Sequence, residues 1–175
     1  MSDLKDYIAS IPGFPKEGII FRDITPIMLE PEVFRDVTKQ IADFAKEVGA
    51  DLVIGPESRG FLFGVPAALE ADLPFAPVRK PGKLPRKTIS ESFTLEYGTD
   101  TLEMHEDAVK PGQKVLIVDD LLATGGTVEA AEKMVERLGG KVAGYAFVIE
   151  LDDLHGRDRL TEGTPVLALT HYEGE

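Results

Sequence analysis

Two adjacent carboxylates, Asp119 and Asp120, stand just ahead of Ala123-Thr124-Gly125-Gly126-Thr127, a stretch with two glycines and two hydroxyls. Glycine lets a backbone approach a ligand closely, and amides at the start of a helix bind a monophosphate. A carboxylate pair would repel that phosphate but accepts well from ribose hydroxyls. The two halves together describe a site for a 5-phosphoribosyl group. The turn holds no lysine, so it is not the Gly-x-x-x-x-Gly-Lys-Ser/Thr loop that grips a triphosphate, and it lacks the Gly-x-Gly-x-x-Gly spacing of a dinucleotide fold.

Cations fall in two other places. Arg59, in Gly55-Pro56-Glu57-Ser58-Arg59-Gly60, is set at the start of an apolar helix, where the dipole disfavours a cation unless an anion shares the site. From Leu73 to Ser90 no acid occurs, while Arg79, Lys80, Lys83, Arg86 and Lys87 crowd between Pro77, Pro81, Gly82 and Pro85. Such a segment is neither a regular helix nor a central strand, and a focused positive field in an acidic protein calls for an anionic ligand, with diphosphate the natural candidate.

The elements that must position these groups are legible from pattern. Val115 to Val118 is a short apolar, β-branched run, the mark of a strand covered on both faces, and is expected to end at Asp119. Beyond Thr127, Val128, Ala131, Val135 and Leu138 form one helical stripe with Glu129, Glu132, Lys133 and Glu136 around it, and Gly139-Gly140 stops the helix. Leu52 to Ile54 leads in the same way through the Arg59 turn into a helix ending near Leu69. Glu30-Pro31 opens another helix, with Val33, Phe34, Val37, Ile41, Phe44 and Val48 on its stripe and Gly49 at its end. Val142 to Glu150 reads as a buried strand and Val166 to Thr170 as a last one. Ser92 to Gly98 and Thr101 to His105 alternate apolar and polar around Gly98-Thr99-Asp100, a hairpin that puts Glu96 and Tyr97 on opposite sides of a ribbon. Alternating strands and helices give an α/β fold with a twisted central parallel sheet flanked by helices.

Composition excludes several functions. The 175-residue chain has a formal charge of -12, which argues against nucleic acid as a partner. It has no cysteine, hence no disulfide, thiolate metal site or thiol nucleophile. Its three histidines, His105, His155 and His171, have no ligand-like spacing and read as structural or surface groups, so no protein-built metal site is expected. The longest apolar stretch, Val142 to Ile149, is too short to cross a bilayer and the N-terminus has no signal-peptide core, so a cytoplasmic location is the default.

The run Val-Asp-Asp-Leu-Leu-Ala-Thr-Gly-Gly-Thr resembles the phosphoribosyl diphosphate motif of type I phosphoribosyltransferases, most closely their adenine-using branch, and the likeness covers nearly the whole chain. It implies one domain over residues 1–175, with a small N-terminal hood at about 1–30 and a flexible lid and hairpin at about 79–104. It implies transfer of 5-phosphoribosyl to N9 of adenine, as in purine salvage, with xanthine or hypoxanthine-guanine use, or a non-catalytic sensor of the donor, as alternatives. The resemblance assigns Asp119, Asp120, Ala123, Thr124, Gly125, Gly126 and Thr127 to ribose 5-phosphate. It assigns Ser58, Arg59, Gly60, Arg79, Lys80 and Lys83 to diphosphate, with a non-prolyl cis bond between Glu57 and Ser58. Adenine falls to Phe21 by stacking, to Ile20 and Arg22 through their backbone, and to Leu121 on the other face. Glu96 and Arg59 become the catalytic groups, Mg2+ is held mainly by substrate and water, and the partner is a second copy in a homodimer.

Overall fold

A computed structural model describes residues 3–95 and 98–173, without the side chain of Leu95. At its centre is a five-stranded parallel sheet built from β3 (Leu52–Pro56), β4 (Phe75–Val78), β7 (Lys114–Leu122), β8 (Lys141–Leu151) and β9 (Val166–Tyr172), in the spatial order β4-β3-β7-β8-β9. The middles of these strands are apolar because both faces are covered, as in Val115 to Val118 and Ala146 to Ile149. Leu52, Ile54, Val115, Ile117, Tyr145 and Phe147 pack on the side of α4 (Gly126–Arg137). Val53, Leu116, Val118, Ala146 and Val148 pack on α2 (Pro31–Glu47) and α3 (Arg59–Glu70). Each large side chain so buried contributes roughly 1.5–3 kcal/mol by leaving water.

The chain leaves β3 on one side, through α3 to β4, and resumes on the other at β7. Such a reversal opens a crevice beyond the carboxyl ends of the two strands, where open α/β sheets bind ligands. The turn after β3 and the turn after β7 both lie there, so the order of strands brings the two sequence-distant turns together.

Two antiparallel ribbons stand apart from the sheet. Near the N-terminus, β1 (Ala9–Pro12) pairs with β2 (Ile20–Asp23), Ile11 opposite Phe21, and a short α1 (Thr25–Leu29) follows. The second ribbon, β5 (Thr88–Leu95) and β6 (Gly98–His105), lies against α4, where Arg137 Nη1 donates to the Ser90 carbonyl at 2.6 Å.

Three sequence expectations change. β7 does not stop at Asp119: Asp119 pairs opposite Phe147, and Leu121 and Leu122 opposite Ile149 and Glu150, because β8 is long enough to carry the ladder on. Both aspartates are therefore strand residues. The hairpin does not turn at 98–100, since Gly98, Thr99 and Asp100 pair as strand with Leu95, Thr94 and Phe93. Glu132 is not on the solvent side of α4 but buried, its carboxylate accepting from Tyr145 Oη at 2.6 Å and from Thr161 Oγ1 at 2.7 Å.

Candidate active site

The cradle at the end of β7 is shaped by glycine. Gly125 caps α4 with φ of +87°, in the left-handed region, which turns the chain into the helix. The amides of the first helical turn have no intrahelical acceptor, and they converge on a small cavity of about 80 Å3 lined by Asp119 and by Leu121 to Val128. Behind the turn runs the segment 152–160. A Cβ on Gly156 would overlap the Ala123 carbonyl oxygen, and one on Gly125 would meet the Gly156 carbonyl oxygen at 2.7 Å. The two backbones touch, and the buried Glu132-Tyr145-Thr161 hydrogen bonds tie that segment to α4 and β8.

The carboxylates form the floor. Asp120 is 3% exposed, and its amide donates to Asp119 Oδ1 at 2.8 Å. Burial, and then the charge of Asp120, push the Asp119 carboxyl well above the ordinary aspartate range. The solvent surface nonetheless reaches Asp119, which is only partly covered. The group is thus dry on the protein side and open toward the cavity. Asp120 Oδ2 lies 3.1 Å from Arg59 Nε, but the contact is an ion pair without hydrogen-bond alignment, which leaves a buried oxygen ready to accept from a ligand.

Arg59 connects three parts of the crevice. It opens α3, faces Asp120 at the floor, and places its guanidinium carbon 5.4 Å from the centre of the Phe21 ring in the N-terminal ribbon. The Glu57-Ser58 bond before it is cis. Gly60 lies so close to β7 that a Cβ there would meet the Val118 carbonyl oxygen at 3.1 Å and Asp119 Oδ1 at 3.2 Å. Phe21 also packs edge-on against Phe14 with ring centres 5.2 Å apart. The Ile20 side chain is 37% exposed and Leu121 is half-buried, whereas the Arg22 side chain turns to Tyr172 at the end of β9.

The basic segment divides. Arg79 gives its backbone to Glu103 and its Nε to Glu57 at 3.1 Å, and the Lys80 amide donates to the same Glu57 oxygen at 2.8 Å. That amide, and then the Arg79 charge, hold Glu57 below the usual glutamate range. Arg86 is taken by Asp107 at 2.6 Å and Lys87 by Glu106 at 3.7 Å. Among the described residues the ammonium groups of Lys80 and Lys83 have no ion pair, and both side chains are exposed. Glu96 lies outside the described residues.

Residues 27–164 match the model of the family described as the phosphoribosyl transferase domain. The chain is similar to the adenine phosphoribosyltransferase of Thermoanaerobacter pseudethanolicus, with 49% identity over 97% of this chain and 98% of that one and a TM-score of 0.92. The chain belongs to the adenine phosphoribosyltransferases. The Rhodothermus marinus enzyme is 50% identical over 97% of this chain and 96% of its own, with a TM-score of 0.90. The Saccharomyces cerevisiae enzyme, crystallised with adenine and an imino-altritol bisphosphate, is 43% identical over 95% of this chain and 96% of its own, with a TM-score of 0.87.

The donor set suits a hard cation: Asp119 lines the cradle, and beside it Asp120 keeps a buried oxygen near Arg59 without an aligned hydrogen bond. Another cluster escaped the sequence. His171 Nδ1 lies 2.8 Å from Asp152 and 3.6 Å from Glu150, which pairing of β8 with β9 brings together. Arg157 already takes both Glu150 oxygens, at 2.7 to 3.0 Å, so the cluster is an ion-pair network bracing the segment behind the cradle. No helix among the described residues is long and apolar enough to cross a membrane.

Proposed function

We propose that this enzyme transfers the 5-phosphoribosyl group of phosphoribosyl diphosphate to N9 of adenine, giving AMP and diphosphate. One observation carries the reading: Arg59 stands between Asp120 of the β7 floor and Phe21 of the N-terminal ribbon, at the junction of a phosphate cradle, a basic loop and an aromatic roof. Residues 1–175 act as one unit, with the hood at about 1–30 over the base and the lid at about 79–104 over the diphosphate.

The 5-phosphate sits on the amides of 123–127, and the ribose hydroxyls donate to Asp119 and Asp120. Arg59, with Ser58 and Gly60, receives the diphosphate, and Lys80 and Lys83 close over it. The bond from the anomeric carbon to the diphosphate oxygen breaks with its electron pair on the leaving group, leaving positive charge on the ribose that the two carboxylates stabilise. Adenine, held between Phe21 and Leu121 with the Ile20 and Arg22 backbone at its edge, supplies the N9 pair that forms the new bond, and the Glu96 carboxylate accepts the proton that N9 loses. Mg2+, when bound near Asp119 and Asp120, supplies Lewis-acid neutralisation of the diphosphate and ribose oxygens. Closure of the lid keeps water from the cationic sugar. The active form is a homodimer, to be checked by sedimentation.

Diphosphate release with Mg2+, donor and each of adenine, hypoxanthine, guanine and xanthine tests the proposal. Turnover is expected with adenine alone, and faster turnover with an oxopurine would overturn the base assignment. Glu96→Gln should lower kcat more than donor affinity. An unchanged kcat would make Glu96 scaffold.

A further inference from the structure

The hood is a two-stranded ribbon, and an isolated ribbon of that size is marginal in water. Something outside it must fix where Phe21 lies. At its back, Tyr172, the last residue of β9, has two cations over its ring, Arg22 Cζ at 4.0 Å and Lys5 Nζ at 4.6 Å from its centre. Arg22 Nη1 donates to Ser10 Oγ at 2.5 Å, and Ser10 and Arg22 are direct partners across the β1-β2 ladder, so the arginine held by this tyrosine is tied to both strands at the same rung.

Neighbouring residues of a strand point to opposite faces. With Arg22 drawn to Tyr172, Phe21 is presented to the other face, where its ring meets Arg59. We infer that Tyr172 is a positioning residue for base recognition: it clamps the hood through Arg22 and Lys5 and thereby sets Phe21 over the site, without touching either substrate. The inference rests on the reading of Phe21 as the stacking residue. Two cation-ring contacts on one tyrosine are enough to shift the hood between a seated and a lifted population.

The test compares Tyr172→Leu, Tyr172→Phe and Lys5→Met with the parent enzyme under Mg2+, measuring KM for adenine and for phosphoribosyl diphosphate separately. Tyr172→Leu is expected to raise the adenine KM about tenfold with the donor KM within twofold, a factor of ten corresponding to about 1.4 kcal/mol. Tyr172→Phe keeps the ring and should recover most of that loss. Lys5→Met, on an exposed side chain, should raise the adenine KM two- to threefold. A parallel rise in both KM values, or an adenine KM unchanged in Tyr172→Leu, overturns the clamp. Hydrogen exchange over residues 9–23 separates this from failure of the base assignment. If the parent does not use adenine, faster exchange in Tyr172→Leu than in Tyr172→Phe still supports the clamp, and equal exchange rejects it.

Discussion

The two halves of the site are built on opposite plans. The cradle at the β7-α4 join is one continuous stretch of chain on a buried sheet, with its floor acid Asp120 3% exposed and its turn in backbone contact with Gly156. The hood and the lid carry two-stranded ribbons that bury residues at their base, Ile24 and Ile27 in one core and Leu102 and Met104 in the other, and are fixed over the crevice by side chains: Tyr172 with Arg22, Glu57 with Arg79, Arg137 with Ser90. The cradle is positioned by packing, the covers by packing at the base and by anchors beyond it. Damage to the first should abolish transfer, whereas damage to the second should loosen one substrate at a time.

The sharpest way to break that contrast is at the floor. If Asp120 stabilises the ribose as proposed, Asp120→Asn is expected to lower kcat by about 10²- to 10³-fold, the scale of losing one preorganised electrostatic group. A loss under threefold would make the pair scaffold. Next comes Gly156→Ala, which drives a methyl into the Ala123 carbonyl. Overpacking of this kind costs about 1–3 kcal/mol, so melting should fall by several degrees and the donor KM should rise at least tenfold while the adenine KM changes less. Equal effects on both substrates would mean that the wall behind the cradle supports the whole crevice.

A cover anchor should behave differently. Glu57→Gln weakens the ion pair to Arg79 and the bond from the Lys80 amide, so the donor KM is expected to rise three- to tenfold with kcat within threefold, by initial-rate kinetics. A collapse of kcat would place Glu57 in the chemistry itself.

The same division decides what the sequence could reveal. The cradle was readable because strand, carboxylates, glycines and helix follow one another without a break, and Arg59 because a cation at a helix start needs an explanation. Contacts made across the fold were not. Glu57 meets Arg79 at a separation of 22 residues, and Glu132 meets Tyr145 and Thr161 only once β8 lies beside α4. Glu132 read as solvent-facing because its partners are hydroxyls, which leave no charge pattern in the sequence. The hairpin was recognised by alternation but its turn was placed on residues that pair as strand, since the Gly98-Thr99-Asp100 cluster has the composition of a turn. Asp119 looked like the end of β7 because acids usually close a buried strand. It lies within the strand because β8 offers backbone partners as far as Glu150. The hood entered only through the family resemblance, since strands of four residues carry too little alternation to announce themselves.

The smallest effect is also the most discriminating, because it pits the two halves against each other in sign. Glu57 has a lowered folded-state pKa, so its contribution to stability is present above the ordinary glutamate range and is lost as pH falls through the lowered value. Asp119 is the reverse. Its carboxyl is raised, by burial first and then by Asp120, so the folded protein holds that proton longer than the unfolded chain does. Stability therefore falls as pH rises from the ordinary aspartate range through the raised value, and above it the penalty is constant. Asp119→Asn removes the penalty. Scanned calorimetry of the ligand-free enzyme should find Asp119→Asn melting a few degrees above the parent at neutral pH, with the gap closing toward acid, while Glu57→Gln melts below the parent at neutral pH and also converges at low pH. The catalytic floor is thus expected to weaken the empty protein that contains it, as sites selected for activity commonly do. If Asp119→Asn melts lower than the parent at neutral pH, the carboxylate is a structural brace, and the cradle is held together by the same kind of anchor as the covers.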